Sequence, residues 1–83
     1  MKRDEIFAVV RSNIMNILDD VAADAISEEV SMRDLGADSL QIVEVVSRSM
    51  KELRLKVHRT DLSRARNLSE LLDLFEKAAS EPT

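Results

Sequence analysis

The residues best placed to do chemistry are Leu35-Gly36-Ala37-Asp38-Ser39-Leu40. Gly36 is the only glycine in the chain and supplies a turn with positive φ. Asp38 has the short acceptor side chain that caps a helix, and Gln41, three residues on, completes a capping box. Ser39 therefore stands at the first helical position, just past a turn. A helix start offers unpaired N–H groups and about half a positive charge, so a phosphate is favoured there. The chemistry on offer is a serine hydroxyl able to carry a phosphodiester. Ser39 also lies over the end of the helix's aliphatic stripe, so a group attached to it could fold back between helices. Asp-Ser at a helix start is equally what capping alone selects, and these two residues leave both readings open.

The remaining side chains exclude most other chemistries. There is no cysteine, hence no disulfide, no thiolate metal site and no cysteine nucleophile. His58 is the only histidine, which argues against a polyhistidine zinc site and a Ser-His-Asp triad. Eighty-three residues allow one modest core. A two-domain enzyme or a nucleotide-binding sheet of several βαβ units, about 30 residues each, does not fit. With 45% apolar and 34% charged residues the composition is that of a folded domain, and with only Phe7 and Phe75 as aromatics its core must be aliphatic.

The elements that position Ser39 follow from periodicity. Ile6, Val10, Ile14 and Leu18 recur at i+4 and predict a helix over about 3–19. Residues 19–37 lose that period and read as a long loop with one or two short turns, plugged onto the core by Val30, Met32 and Leu35. In the second helix, starting after Asp38, Ile42, Val43, Val46, Met50 and Leu53 share an arc of about 100° and are the expected core face. Leu40, Glu44, Ser47 and Lys51 face outward. Residues 53–58 alternate like a strand, but no second segment offers a partner, so an extended linker with Leu55 and Val57 tucked inward is expected. Thr60 or Asp61 caps a short helix through Leu62 to Ala65. Asn67, with Glu70 in the capping-box position, starts a last helix whose core stripe is Leu68, Leu71, Leu72 and Phe75, extended by Ala78 or Ala79. The expected fold is all-α, a small four-helix bundle in a single domain over 1–83. Pro82 lies in a tail, about 80–83, expected to be flexible.

Charge is divided along the chain. The net charge is −4, but residues 19–44 hold eight acids against Arg33 alone, a local −7, whereas residues 48–66 hold seven bases against Glu52 and Asp61, a local +5. The acidic half should attract a basic partner, and the basic block offers either a second docking surface or a solvated face. Nucleic-acid binding is disfavoured by the negative total and by the lack of aromatics in the basic block. No apolar run approaches the roughly 20 residues of a membrane span. Nor does the start Met1-Lys2-Arg3-Asp4-Glu5 lead into an uninterrupted apolar segment like that of a signal peptide. A cytoplasmic location is expected.

The wider pattern resembles the acyl carrier proteins of fatty-acid and polyketide synthesis. The likeness covers nearly the whole chain: the opening helix, the acidic loop, Leu35-Gly36-Ala37-Asp38-Ser39-Leu40 followed by Glu44 and Val45, and Leu68-Ser69-Glu70-Leu71. In that family the serine of the Asp-Ser-Leu motif carries a 4′-phosphopantetheine arm, added by a magnesium-dependent phosphopantetheinyl transferase. The resemblance implies Ser39 as the attachment point, a carrier and not an enzyme, and no resident metal. The missing cysteine is then accounted for, because the working thiol belongs to the prosthetic group. Docking falls by motif position on Asp38, Leu40 and Glu44. The implied partners are the transferase, an acyltransferase and a ketosynthase or hydroxymethylglutaryl-synthase-like enzyme, with the carrier a monomer.

Three departures distinguish the chain from many fatty-acid carriers. Gln41 stands where they have an acid, Ser47 where they have methionine, and His58, Arg59, Arg64 and Arg66 where they have an acidic segment. Residues 53–62 and 65–71 are instead similar to the free-standing donor carriers of polyketide β-branching cassettes. That likeness implies malonyl, then acetyl, presented to a hydroxymethylglutaryl-synthase-like enzyme, with Arg59 and Arg64 in docking and His58 as a further candidate. A chain starting at Met1 with a short tail suits a free-standing protein. Met32 and Met50 read as core filler whose adaptable packing suits a variable acyl guest. The alternatives are a general fatty-acid carrier and a carrier-like interaction module that is never acylated.

Overall fold

A computed structural model describes residues 1–80. Four helices follow one another: α1 (Arg3–Ile17), α2 (Ser39–Leu53), α3 (Arg59–Leu62) and α4 (Leu68–Ser80), with one 3₁₀ turn at Ala23–Ala25 in the long first loop. Among the described residues there is no strand, and the all-α expectation holds. The expected tail lies, beyond Ser80, outside the described residues, as does Pro82.

α1 packs along α2 and against the side of α4, and α3 leans on α4. The core is aliphatic around one ring: Ile6, Val10 and Ile14 from α1, Val45, Val46 and Leu53 from α2, and Leu68, Leu71, Leu72 and Phe75 from α4 are buried. α1 ends at Ile17, with Leu18 as its cap, two residues before the expected end. Leu18 is still buried, because its N–H bonds to the Ile14 carbonyl at 2.8 Å and its side chain stays on the stripe.

The core face of α2 departs from the expected one. Val43 is 57% exposed, whereas Val45 and Ser49 are fully buried. The buried arc is turned by about 50° from the one that apolar residues alone define, at 100° per residue. What turns it is a polar pair. Asn13 Nδ2 donates to Ser49 Oγ at 3.0 Å, and Ser49 Oγ donates to the Val45 carbonyl at 2.7 Å. No fully buried side-chain nitrogen or oxygen among the described residues is left without a partner, so a serine can occupy the centre of the α1–α2 seam at little cost.

The first loop is held from both sides. Ile26, Met32 and Ala37 are buried, and Val30 and Leu35 are half-buried against the core. Its backbone also completes α4: Leu68 N–H bonds to the Val30 carbonyl at 2.9 Å and Ser69 N–H to the Glu28 carbonyl at 2.8 Å. Glu70 N–H goes to Asn67 Oδ1 at 2.9 Å. Three of the N–H groups that a helix start leaves unpaired are thereby satisfied. Arg3 clasps the same junction, donating to Glu28 (2.7 Å), Asp73 (2.8 Å), Glu76 and the Ser69 carbonyl (3.0 Å). Hydrogen bonding from Arg3 holds the Glu28 carboxyl below the usual carboxylate range, and the acids in turn raise the Arg3 guanidinium.

Two caps also differ from expectation. The short helix is Arg59–Leu62, starting at His58 without a side-chain cap and ending before Ala65. Neither Thr60 nor Asp61 caps it; both lie inside the single turn. In α4, Asn67 caps as expected, but the Glu70 carboxylate accepts from the Arg66 N–H at 2.7 Å, one residue earlier than a capping box requires. The Arg66 side chain pairs with the same carboxylate, and these contacts hold Glu70 below its usual range. α2 ends at Arg54 in the left-handed conformation (φ 57°), with Leu55 N–H bonded to the Met50 carbonyl at 2.9 Å. The chain then runs as an unpaired linker with Leu55 and Val57 half-buried, as the sequence leads one to expect.

Candidate functional site: the start of helix α2

The turn before α2 is built from its own backbone. Leu35 and Ala37 N–H groups bond to the Met32 carbonyl at 3.1 and 3.0 Å, and Gly36 N–H to the Arg33 carbonyl at 3.0 Å. Ser31 and Asp34 exchange bonds: Ser31 N–H to Asp34 Oδ2 and Asp34 N–H to Ser31 Oγ, both 3.0 Å. Gly36 sits at φ +97°, where a side chain is strained although nothing lies within 4 Å of a would-be Cβ. Ala37 is buried and fixes the turn to the core.

The expected capping box is present in both halves. Gln41 N–H donates to Asp38 Oδ1 at 2.8 Å, and Asp38 N–H donates to Gln41 Oε1 at 2.9 Å. Ser39 is the first residue of α2 and is exposed. Its Oγ accepts a hydrogen bond from Arg33 Nη2 at 3.1 Å. The sequence marks Arg33 only as the one base in residues 19–44 and assigns it no role at the site, although it stands six positions before Ser39.

Around this point the expected docking residues separate into two groups. Asp38, Leu40 and Glu44 are all exposed on the first turns of α2, with Leu40 69% exposed. Val43, displaced from the core, lies one turn from Leu40 and extends its exposed apolar surface. Arg59 is exposed on α3 and Arg64 in the turn that follows, with His58 exposed just before α3. A cleft of about 280 Å³ opens between the loop, α2 and the α3–α4 segment, walled by Met32, Ile42, Val46, Leu62, Leu68 and Leu71, with Arg33 also lining it. Among the described residues no group of three or more His, Cys, Asp or Glu side chains is arranged to hold a metal ion. No helix there is long and apolar enough to cross a membrane.

The site is thus an exposed serine at a capped helix start, beside an apolar cleft. The chain belongs to the family whose model is described as the phosphopantetheine attachment site, which matches residues 9–75. It is an acyl carrier protein, a carrier and not a catalyst, and its prosthetic group is a covalent 4′-phosphopantetheine. Among its relatives is the polyketide biosynthesis acyl-carrier-protein AcpK of Bacillus subtilis, 32% identical over 81 residues that cover 96% of this chain and 99% of that one. An acyl carrier protein of Thermotoga maritima is 33% identical over 75 residues, 90% and 93% of the two chains. Among solved structures, the chain matches the crystal structure of the curacin-pathway HMG synthase in complex with acetyl donor-ACP. The TM-score is 0.76 at 29% identity, over 96% of this chain and 100% of that chain.

Proposed function

We propose that Ser39 carries the arm and that this single domain serves as an acetyl or malonyl donor in polyketide β-branching. Supporting the attachment is one observation: the only hydroxyl at the start of α2 is exposed, with Asp38 and Gln41 fixing the helix start beneath it. The residues present suit the group. A hydroxyl accepts the phosphodiester, and the helix start and a neighbouring guanidinium favour its negative charge. When bound, the arm supplies a terminal thiol for thioesters. The chain's own contribution is to hold the arm at a rigid point, to offer the cleft beside it, and to present a recognition surface.

The donor role is supported by the likeness to the acetyl donor-ACP, and the polyketide setting by the likeness to AcpK. The second reading, a general carrier, is favoured by the comparable identity to the Thermotoga protein. Two surfaces divide the work. Asp38, Leu40, Val43 and Glu44 form an acidic and apolar patch for transferase and acyltransferase. Arg59 and Arg64 form a basic one that selects a hydroxymethylglutaryl-synthase-like enzyme over a ketosynthase. Rim charge acts mainly on association rate and on the exclusion of wrong partners. The protein works as a cytoplasmic monomer.

The test has two arms. Incubation with a phosphopantetheinyl transferase, coenzyme A and magnesium adds one arm to the wild type and none to Ser39→Ala, whose circular dichroism is unchanged. Modification persisting in Ser39→Ala refutes the attachment. Reversing Arg59 and Arg64 to Glu slows acetyl transfer to the synthase-like enzyme at low salt while the arm is still attached. Wild-type transfer by that variant returns the chain to the general-carrier reading.

A further inference from the structure

Arg33 is the one base within the acidic stretch from Asp19 to Glu44, and it is surrounded in sequence by carboxylates. It would be expected to pair with one of them. Among the described residues it pairs with none: the ion pairs found there involve Arg3 and Arg66. Two of the acids near it in sequence are engaged in local hydrogen bonds. Asp34 Oδ2 accepts from Ser31 N–H, and Asp38 Oδ1 accepts from Gln41 N–H. Arg33 instead donates to the neutral Oγ of Ser39 at 3.1 Å. Arg33 also lines the cleft with Met32, Ile42 and Val46.

We propose that Arg33 is a positioning residue for the arm: its guanidinium binds the phosphodiester attached to Ser39 and turns the arm toward the cleft between the first loop, α2 and α4. This rests on Ser39 being the attachment point. Replacing the hydroxyl by a phosphodiester at the atom Arg33 already contacts puts anionic oxygens within reach of the guanidinium, turning a bond with one charged partner into one with two. A guanidinium matches phosphate oxygens with two parallel donors, which fixes direction as well as distance. The turn 32–37 gives Arg33 a rigid base, because its own carbonyl accepts from Gly36 N–H and both neighbours are bonded within the turn. The Arg33 contact therefore biases which way the arm leaves the surface, without taking part in thioester chemistry.

The experiment compares the arm-bearing forms of wild type, Arg33→Gln and Arg33→Lys by ³¹P NMR across a salt series, with peptide mass mapping of the arm. An exposed charge pair of this kind shifts a population by about 1.4- to 5-fold. In the wild type the phosphodiester resonance should move as salt breaks the contact. In Arg33→Gln it should stand near the high-salt position throughout, and in Arg33→Lys it should keep a salt response. Backbone amide shifts in α1 and α4 should agree in all three, which separates loss of the contact from a change of fold. A ³¹P position and salt response identical in wild type and Arg33→Gln, with the arm mapped to Ser39, overturns the role of Arg33 and leaves the attachment standing. An arm mapped to another residue overturns the attachment itself, and this proposal with it.

Discussion

Ser49→Ala tests the polar pair that sets the orientation of α2. Ser49 is fully buried and Asn13 is 3% exposed, and they meet at 3.0 Å across the α1–α2 seam. Removing the hydroxyl leaves Asn13 Nδ2 buried without that acceptor, at a cost of about 1–3 kcal/mol. Two effects work the other way. Alanine is the better helix former by about 0.5 kcal/mol. The bond from Ser49 Oγ to the Val45 carbonyl is of the i−4 kind that slightly weakens a helix. The net loss should be about 1–2 kcal/mol, against a total of about 4–12 kcal/mol expected for a domain of this length. Removing both partners differs from removing one. Asn13→Leu combined with Ser49→Ala should recover most of the loss, since replacing both members of a pair by apolar groups of similar shape is nearly neutral. Urea unfolding followed by far-UV circular dichroism, with m held constant across variants, measures each value. A single Ser49→Ala within about 0.5 kcal/mol of wild type, or a double variant no more stable than the single, refutes the account.

Three further outcomes follow from other parts of the molecule. Gly36→Ala should cost about 1–2 kcal/mol through backbone strain alone, since Gly36 sits at φ +97° with open space around it; unchanged stability by urea unfolding would contradict the turn geometry. Arg3→Gln should lower stability at neutral pH. The Glu28 carboxyl is depressed mainly by hydrogen bonding from Arg3, so the contribution is full above the ordinary glutamate range and fades as pH falls through the folded value. The gap in urea midpoint between variant and wild type should therefore close in acid, and a gap independent of pH argues against the clasp. Glu44→Lys, on the exposed side of α2, should leave the fold intact and weaken transfer from basic partners partially, by the roughly 0.2–1 kcal/mol of an exposed charge contact; transfer rates equal to wild type across a salt series would remove Glu44 from the docking surface.

The local signals around Ser39 were legible in the sequence because they act over a few residues. Asp38 and Gln41 bond each other three positions apart, and Gly36 takes a conformation that disfavours side chains. The stripe Leu68, Leu71, Leu72 and Phe75 is set by helical spacing alone, and all four residues are buried. What periodicity could not supply was the rotation of α2. Val43 looks like core and nothing in the apolar pattern marks Ser49 as buried until Asn13, 36 positions away, arrives to bond it. The first loop read as irregular because its order comes from elsewhere: its carbonyls at Glu28 and Val30 pair with the start of α4, and Arg3 closes the junction from α1. Arg33 stood out by charge, yet that it meets the Ser39 hydroxyl and not a carboxylate is decided by the folded turn. Capping, turns and stripes are near-neighbour physics and can be read along the chain. Pairing of buried polar groups, and the choice a cation makes among several acceptors, depend on distances that exist only after the helices have packed.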